Sequence, residues 1–307
     1  IVTAAPQQFA VPGATIDAPN TVGTSQSGTA NAGSSASVGA TSLEQLSLER
    51  INRARLRPAA EASAFGIALD EGVPGLINPL PKQPLAMNAS LLSSARLHSR
   101  DMINKDYFEH ESPVGVNPFE RMTNAGFVFL TAGENIAWRG TTGPVNEVDF
   151  VEQEHRDLFV DTGIDGRGHR VTMLNADFRE VGIAVVRGNF TQGGTGYDSI
   201  MQTQDFGTSV ADTPIVLGVV YTDTNRNGRY DAGEGVANQT VSLGSSSKTT
   251  GQGGGYSFNI GVPGTFTLRF TSGRTVSLTL DAGDSNVKVD LVDNTQTVIN
   301  SGMGQLN

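Results

Sequence analysis

The 307-residue chain contains no cysteine, which excludes disulfides and removes the thiolate as nucleophile or metal ligand. Positive charge is scarce, with 21 Lys and Arg against 31 Asp and Glu for a net charge of −10. No Lys/Arg stripe exists to neutralise phosphates, which argues against a nucleic-acid partner. Hydrophobic residues make up 37%, and no apolar run approaches the roughly 20 residues of a membrane span. A soluble chain is expected. Two short hydrolase signatures are missing as well: there is no H-E-x-x-H, and no serine sits in a G-x-S-x-G elbow. Position 1 is Ile rather than Met, which suggests a processed, secreted product whose export signal has been removed.

What is present divides into three stretches. Residues 1–41 are mostly Ala, Gly, Ser, Thr, Pro and Gln, too poor in apolar surface to fold alone. They read as a low-complexity tail that could add an extended strand to a neighbouring copy, giving a homo-oligomer or filament. Residues 42–210 alternate helix and strand signals. "SLEQ" (42–45) suggests a capping box with Ser42 as N-cap, and Pro58 limits the helix it opens. Further helices are expected over roughly 88–105, 118–125 and 145–160. "GENIAWRG" (133–140) reads as a short strand or loop, and 180–190 and 199–207 as strands. Residues 211–307 change character to short strands between Gly-rich turns, the pattern of an antiparallel sandwich.

All four histidines, His98, His110, His155 and His169, lie in the middle stretch. Leu91, Ala95, His98 and Met102 share one face of the 88–105 helix, so His98 points inward. At about 100° per residue, Val148, Val151, Glu154, His155 and Leu158 fall on one arc of the next long helix, with Glu152 off it and solvated. A carboxylate on such an apolar arc needs a partner, which histidines on a facing element would supply. His169 sits in "GRGHRVTML" on a glycine-bracketed turn, and Glu134 in "GEN".

The ordered words "ARLHSRDMINKDYFEHESPVGVNPFERMTNAGF", "AGENIA", "GHRVTML" and "FREVGIAVV" resemble the CAP superfamily of cysteine-rich secretory, antigen 5 and pathogenesis-related proteins, in its cysteine-free bacterial branch. The resemblance implies an α–β–α sandwich with a cleft lined by two histidines and two glutamates. By position these are His98, Glu134, Glu154 and His169, with His155 able to share or take the role of Glu154, because the family's helix tryptophan is absent. His110 is left as a structural or rim residue. Two imidazoles around one point could hold zinc, with carboxylates orienting them or activating water. The same groups could do metal-free acid–base work, with carboxylates raising the histidine pKa values. The resemblance also implies small-molecule, lipid or glycan ligands.

"DTNRNGRYDAGE" (223–234) places Asp223, Asn225, Asn227, Asp231 and Glu234 at positions 1, 3, 5, 9 and 12 of a calcium loop. Gly228 stands at position 6, and Arg229 at position 7 offers its carbonyl. The flanks are strands, so the segment resembles the calcium-stiffened B-type repeats of bacterial serine–aspartate adhesins, a prealbumin-like sandwich. The reading is therefore an α+β chain: a CAP-type sandwich (42–210) followed by a calcium-binding all-β sandwich (211–307). A secreted bacterial binding or structural protein is expected, ahead of a metal-assisted, peptidase-like hydrolase acting at the cleft.

Overall fold

A computed structural model describes residues 2–4 and 39–301. In chain order they form β1 (Val2–Ala4), α1 (Ser42–Leu56), α2 (Pro58–Ala64), β2 (Ala86–Met87), α3 (Ala89–Lys105), α4 (Pro118–Asn124), β3 (Phe129–Thr141), α5 (Glu147–Val160), a 3₁₀ turn (Asp165–Arg167) and α6 (Gly168–Met173). Then follow β4 (Glu180–Gln192), β5 (Thr195–Ser209), β6 (Ile215–Tyr221), β7 (Thr240–Leu243), β8 (Ser246–Thr249), β9 (Gly255–Asn259), β10 (Gly264–Phe270), β11 (Thr275–Leu280), β12 (Val287–Val292) and β13 (Gln296–Ser301). None of the described helices is long and apolar enough to cross a membrane.

The helix signals are local. The capping box of α1 lies one residue earlier than "SLEQ" suggests: Thr41 Oγ1 accepts from Glu44 N at 3.2 Å, and Glu44 Oε2 accepts from Thr41 N at 2.8 Å. Ser/Thr followed by Glu/Gln three residues on occurs in both registers, and the structure uses the first. Asn88 caps α3 through its side chain, and Pro118 opens α4 inside an Asn117–Glu120 box. "GHRVTM" is a short helix, α6, rather than a turn, and "GENIAWRG" belongs to a 13-residue strand.

The central sheet runs in the order β1-β3-β5-β4-β2, antiparallel except for β2 beside β4. β1 pairs with β3 of the same chain, Val2 opposite Arg139. Positions 1 and 5–38 of the segment read as an assembly tail lie outside the described residues. Successive residues on a strand face opposite sides. On one side Ile136, Trp138 and Met201 pack with Met102 of α3. On the other, Ala137, Val181, Ile183 and Phe206 pack with Leu48 and Ile51 of α1, Leu158 and Phe159 of α5, and Met173 of α6. Helix α3 lies directly on the sheet backbone: a Cβ on Gly182 would fall 2.0 Å from the Leu91 carbonyl carbon.

Residues 215–301 form two four-stranded sheets, β11-β10-β7-β8 and β13-β12-β6-β9, not wholly antiparallel as expected, because β12 runs parallel to β6. One apolar core lies between them, with Val216, Val220, Leu268, Phe270 and Val289 among its members. The edge strand β11 alternates exposed and buried residues, as a half-solvated strand should. β6 does not alternate: all seven of its residues are buried. Its second face is covered too, Val219 and Tyr221 packing with Leu46 of α1 and Val151 of α5, and Ile215 and Leu217 with Ala86. The continuous run "IVLGVVY" records burial on both sides.

Polar groups complete this junction. Asn286 donates to the carbonyls of Pro84 (2.9 Å) and Arg179 (2.8 Å) while its Oδ1 accepts from Ile215 N (3.0 Å). Buried Lys288 of β12 pairs with Asp290 and, at 2.9 Å, with Glu49 of α1.

Candidate functional site

The α3 side of the sheet holds a charged cluster. Glu134 projects from β3, and both its oxygens are engaged: His110 Nδ1 donates to Oε1 at 2.8 Å, and Arg121 of α4 to Oε2 at 2.6 Å. Burial alone would raise the Glu134 pKa, but the surrounding positive groups outweigh it and hold the carboxyl at about 2. Asp205 faces Glu134 across the β3–β5 register, with Ser94 as its other neighbour. Burial and the adjacent Glu134 charge push its pKa well above the ordinary value. The two carboxyls are thus driven in opposite directions, Glu134 down and Asp205 up. Neither oxygen of Asp205 completes a well-shaped hydrogen bond.

His98 lies inward on α3, as its stripe requires, and Leu91, Ala95 and Met102 are buried with it. Its Nε2 donates to the Glu109 carbonyl at 3.0 Å, and its Nδ1 faces the Tyr107 hydroxyl at 3.4 Å. That hydroxyl itself donates to Asp101 at 2.9 Å. The expected upward pKa shift is reversed: desolvation dominates the opposing attraction of Glu134 and brings His98 down to about 4. At neutral pH His98 is uncharged, so Arg121, with the His110 hydrogen bond, holds Glu134 ionised. His110, which sequence reasoning set aside, is the imidazole bonded to Glu134. The word "FEH" eight residues before Pro118 was the available signal.

The α1 side carries a neutral relay. Ser47 and Gln204 both donate to Gln202 Oε1, at 2.8 and 2.6 Å, and Gln202 Nε2 donates to Glu154 Oε2 at 2.8 Å. Asn135 Nδ2 reaches Gln204 at 3.4 Å and the His169 carbonyl at 3.2 Å. The partner of Glu154 is thus an amide rather than the expected histidine. Desolvation drives its pKa up to about 8, so it is protonated at neutral pH. His169 donates from Nδ1 to Asp161 Oδ1 at 2.7 Å, and its backbone N–H reaches Oδ2 at 2.8 Å. His155 points elsewhere: its Nε2 donates to Glu61 at 2.8 Å, and Phe65 and Phe159 pack on its ring. Burial would raise the Glu61 pKa, but hydrogen bonds from His155 and Arg53 hold it at about 2. Glu152 is not merely solvated; Arg50 grips both its oxygens at 2.6–3.0 Å.

The four positions read as one cleft are therefore divided. Glu134 and Asn135 are consecutive on β3, so His98 and Glu134 lie on the α3 side while Glu154 and His169 belong to the α1 side. Among the described residues no three His, Asp or Glu side chains gather as a metal site. Zinc between His98 and His169 does not fit this arrangement, because the two imidazoles stand on opposite sides of the sheet.

The loop between β6 and β7 fits a hard cation better by its donors. Asp223 accepts from Asn227 N (3.0 Å) and Gly228 N (2.8 Å), while Asn225 and Asn227 both donate to Asp231 Oδ2. Thr224 N (2.8 Å) and Asp231 N (2.9 Å) donate to the two oxygens of Glu234. Gly228 takes φ 76°, the left-handed turn that its position demands. The three carboxylates do not close on one point by themselves; the two Asn amides stand between them. Arg50 of α1 reaches into this loop from the other unit. Its guanidinium donates to the Tyr230 carbonyl at 2.8 Å and to Asp231 Oδ1 at 2.9 Å while holding Glu152.

The model of the CAP family, described as the cysteine-rich secretory protein family, matches residues 48–206, somewhat more than half of the chain. The chain belongs to the CAP family. The CAP match spans α1 to β5 and ends before β6. Among relatives, the uncharacterized protein YkwD of Bacillus subtilis (strain 168) is 38% identical over 104 residues, 34% of this chain and 35% of that protein. The uncharacterized membrane protein YlbC of the same strain is 32% identical over 95 residues, 31% of this chain and 24% of that one. The chain thus spans about a third or less of the length of these relatives. Solved structures that are similar in part include an extracellular protein containing an SCP domain from Bacillus anthracis, at 24% identity and TM-score 0.29, covering 42% of this chain and 35% of that one. An outer surface protein of Borrelia burgdorferi gives 15% identity and TM-score 0.31, covering 42% of this chain and 80% of the other.

Proposed function

We propose that this chain is an extracellular bacterial binding or structural protein, in which a calcium loop fastens an adhesin-like β-sandwich to a CAP unit. The supporting observation is Arg50. It is almost fully buried, and it ties the ninth loop position, Asp231, to Glu152 of α5. Bound calcium would take oxygens of Asp223, Asn225, Asn227, Asp231 and Glu234 together with the Arg229 carbonyl, and would offset the loop's negative charge. In this reading the Asn225 and Asn227 amides turn their oxygens to the ion, leaving Asp231 Oδ1 to Arg50. Loop order and unit-to-unit docking are then coupled, and the ion acts as a clip. A binding or structural role is favoured over the hydrolase because His98, Glu134, Glu154 and His169 are buried, split across the sheet, and bonded to protein partners.

The test is thermal unfolding in calcium and in chelator. Calcium should raise Tm by several degrees, with ligand-linked stabilisation of about 3 kcal/mol at a hundredfold excess over Kd. Glu234→Gln should abolish the difference between the two media, beyond any loss, common to both, from its bonds to Thr224 N and Asp231 N. Superimposable wild-type curves in both media would eliminate the calcium clip.

A further inference from the structure

We propose that the groove where α1, α2, α5 and the 223–234 loop meet is a binding site for a short acidic oligosaccharide. The groove measures about 550 Å³ and is bordered by Arg53, Arg57, Arg156 and Arg229, with Ala60, Ala64 and Phe65 as its apolar wall. Two carboxylates, Glu61 and Glu152, also border it, and both are already matched. Glu61 binds Arg53 and His155, and Glu152 is gripped by Arg50 from behind.

That leaves three exposed guanidiniums. The side chains of Arg57 and Arg156 make no hydrogen bond or ion pair with any described residue, and the Arg229 guanidinium comes no closer than 3.9 Å to Asp231. They converge from three separate segments: the end of α1, the middle of α5, and the loop. In a chain of net charge −10 a locally cationic groove is the exception, and unpaired cations held side by side repel one another unless an anion joins them.

The shape and chemistry of the groove select the ligand. Guanidinium forks bind carboxylate or sulfate oxygens two at a time. Half-buried Phe65, braced by Phe159 and His155, offers a ring on which the apolar face of a sugar can lie. An open trough suits a chain passing through it better than a single ion. The acidic remainder of the surface repels a long polyanion, so a segment with two or three charges fits best. This site needs neither calcium nor the buried histidines of the CAP unit.

Calorimetric titration of the full chain in chelator with trigalacturonate, a trimer of uronic acids, tests it apart from the calcium clip. Saturable binding is expected, weakening as sodium chloride rises from about 50 to 300 mM. Arg156→Gln and Arg57→Gln, neither in the loop and neither with a partner to lose, should each weaken it about tenfold with unchanged Tm. Neutral maltotriose should give no heat. Absence of trigalacturonate binding, or wild-type affinity in both variants, would overturn the site. Inorganic sulfate binding as tightly as the trimer would overturn the sugar assignment and leave a simple anion site.

Discussion

On the α3 side of the central sheet Glu134 stays ionised because Arg121 and His110 bond both its oxygens. On the α1 side Glu154, just as buried, meets only the Gln202 amide and is driven up to about 8. The same residue type at the same depth thus carries a charge on one side and a proton on the other. Depth fixes how costly a carboxylate is, but the neighbour decides whether the cost is met by an opposite charge or by keeping the proton. The α3 side is a charge-compensated cluster and the α1 side a chain of amides and hydroxyls.

Removing the compensating charge should cost most. Arg121→Leu removes the guanidinium bonded to Glu134 beside Asp205, and urea denaturation should show a loss of about 3–5 kcal/mol. A loss below about 1 kcal/mol would mean that Glu134 is not held by that pair.

The corresponding change on the other side should act with the opposite sign. The folded pKa of Glu154 lies above its unfolded value, so its proton-linked contribution is complete at low pH and is lost as pH climbs through about 8. Glu154→Gln has no such proton to lose. It should match wild type near pH 4.5 and become more stable by about 3 kcal/mol at pH 7. A difference that does not vary with pH would show Glu154 to be ionised, and the contrast between the sides would collapse.

Smaller effects sharpen the picture. Asp161→Asn keeps the shape but weakens the acceptor for His169 Nδ1 and the backbone N–H, and a loss of about 2 kcal/mol is expected in chemical denaturation. Ser99→Ala removes one neutral bond from α3 to Thr203 (2.8 Å) and should cost about 1 kcal/mol. A Ser99 effect exceeding that of Asp161 would reverse the ranking of charged over neutral contacts.

How much of this was legible follows the range of each interaction. The inward turn of His98 is a matter of helical period, and Leu91, Ala95 and Met102 carry the same information. Glu154 and His155 likewise fall on the buried face of α5, while Val148 at its start is 39% exposed. The long-range partners were not legible. That Glu154 meets Gln202, His155 meets Glu61, and His110 rather than His98 meets Glu134 depends on which strands and helices pack together. Helical spacing says only that a residue points inward, not to which side of a sheet. The division of the expected tetrad arose there: "GEN" puts Glu134 and Asn135 side by side, and the pleat sends them apart. Spacing within one loop needs no tertiary information, so the sharp turn at Gly228 within residues 223–234 could be read directly. Arg50, the residue that ties that loop to α1, stands 173 positions before Asp223 and is marked by nothing local.

Arg50 has a consequence for anyone who would isolate the CAP part. The family match stops at residue 206, but a protein cut there would bring Leu46 and Val151 into water and leave Arg50 with Glu152 alone. Glu49 would lose Lys288 in the same stroke. Such a fragment would present a greasy, charged scar and tend to clump during purification. The boundary that heredity draws along this chain is not one at which a knife should fall.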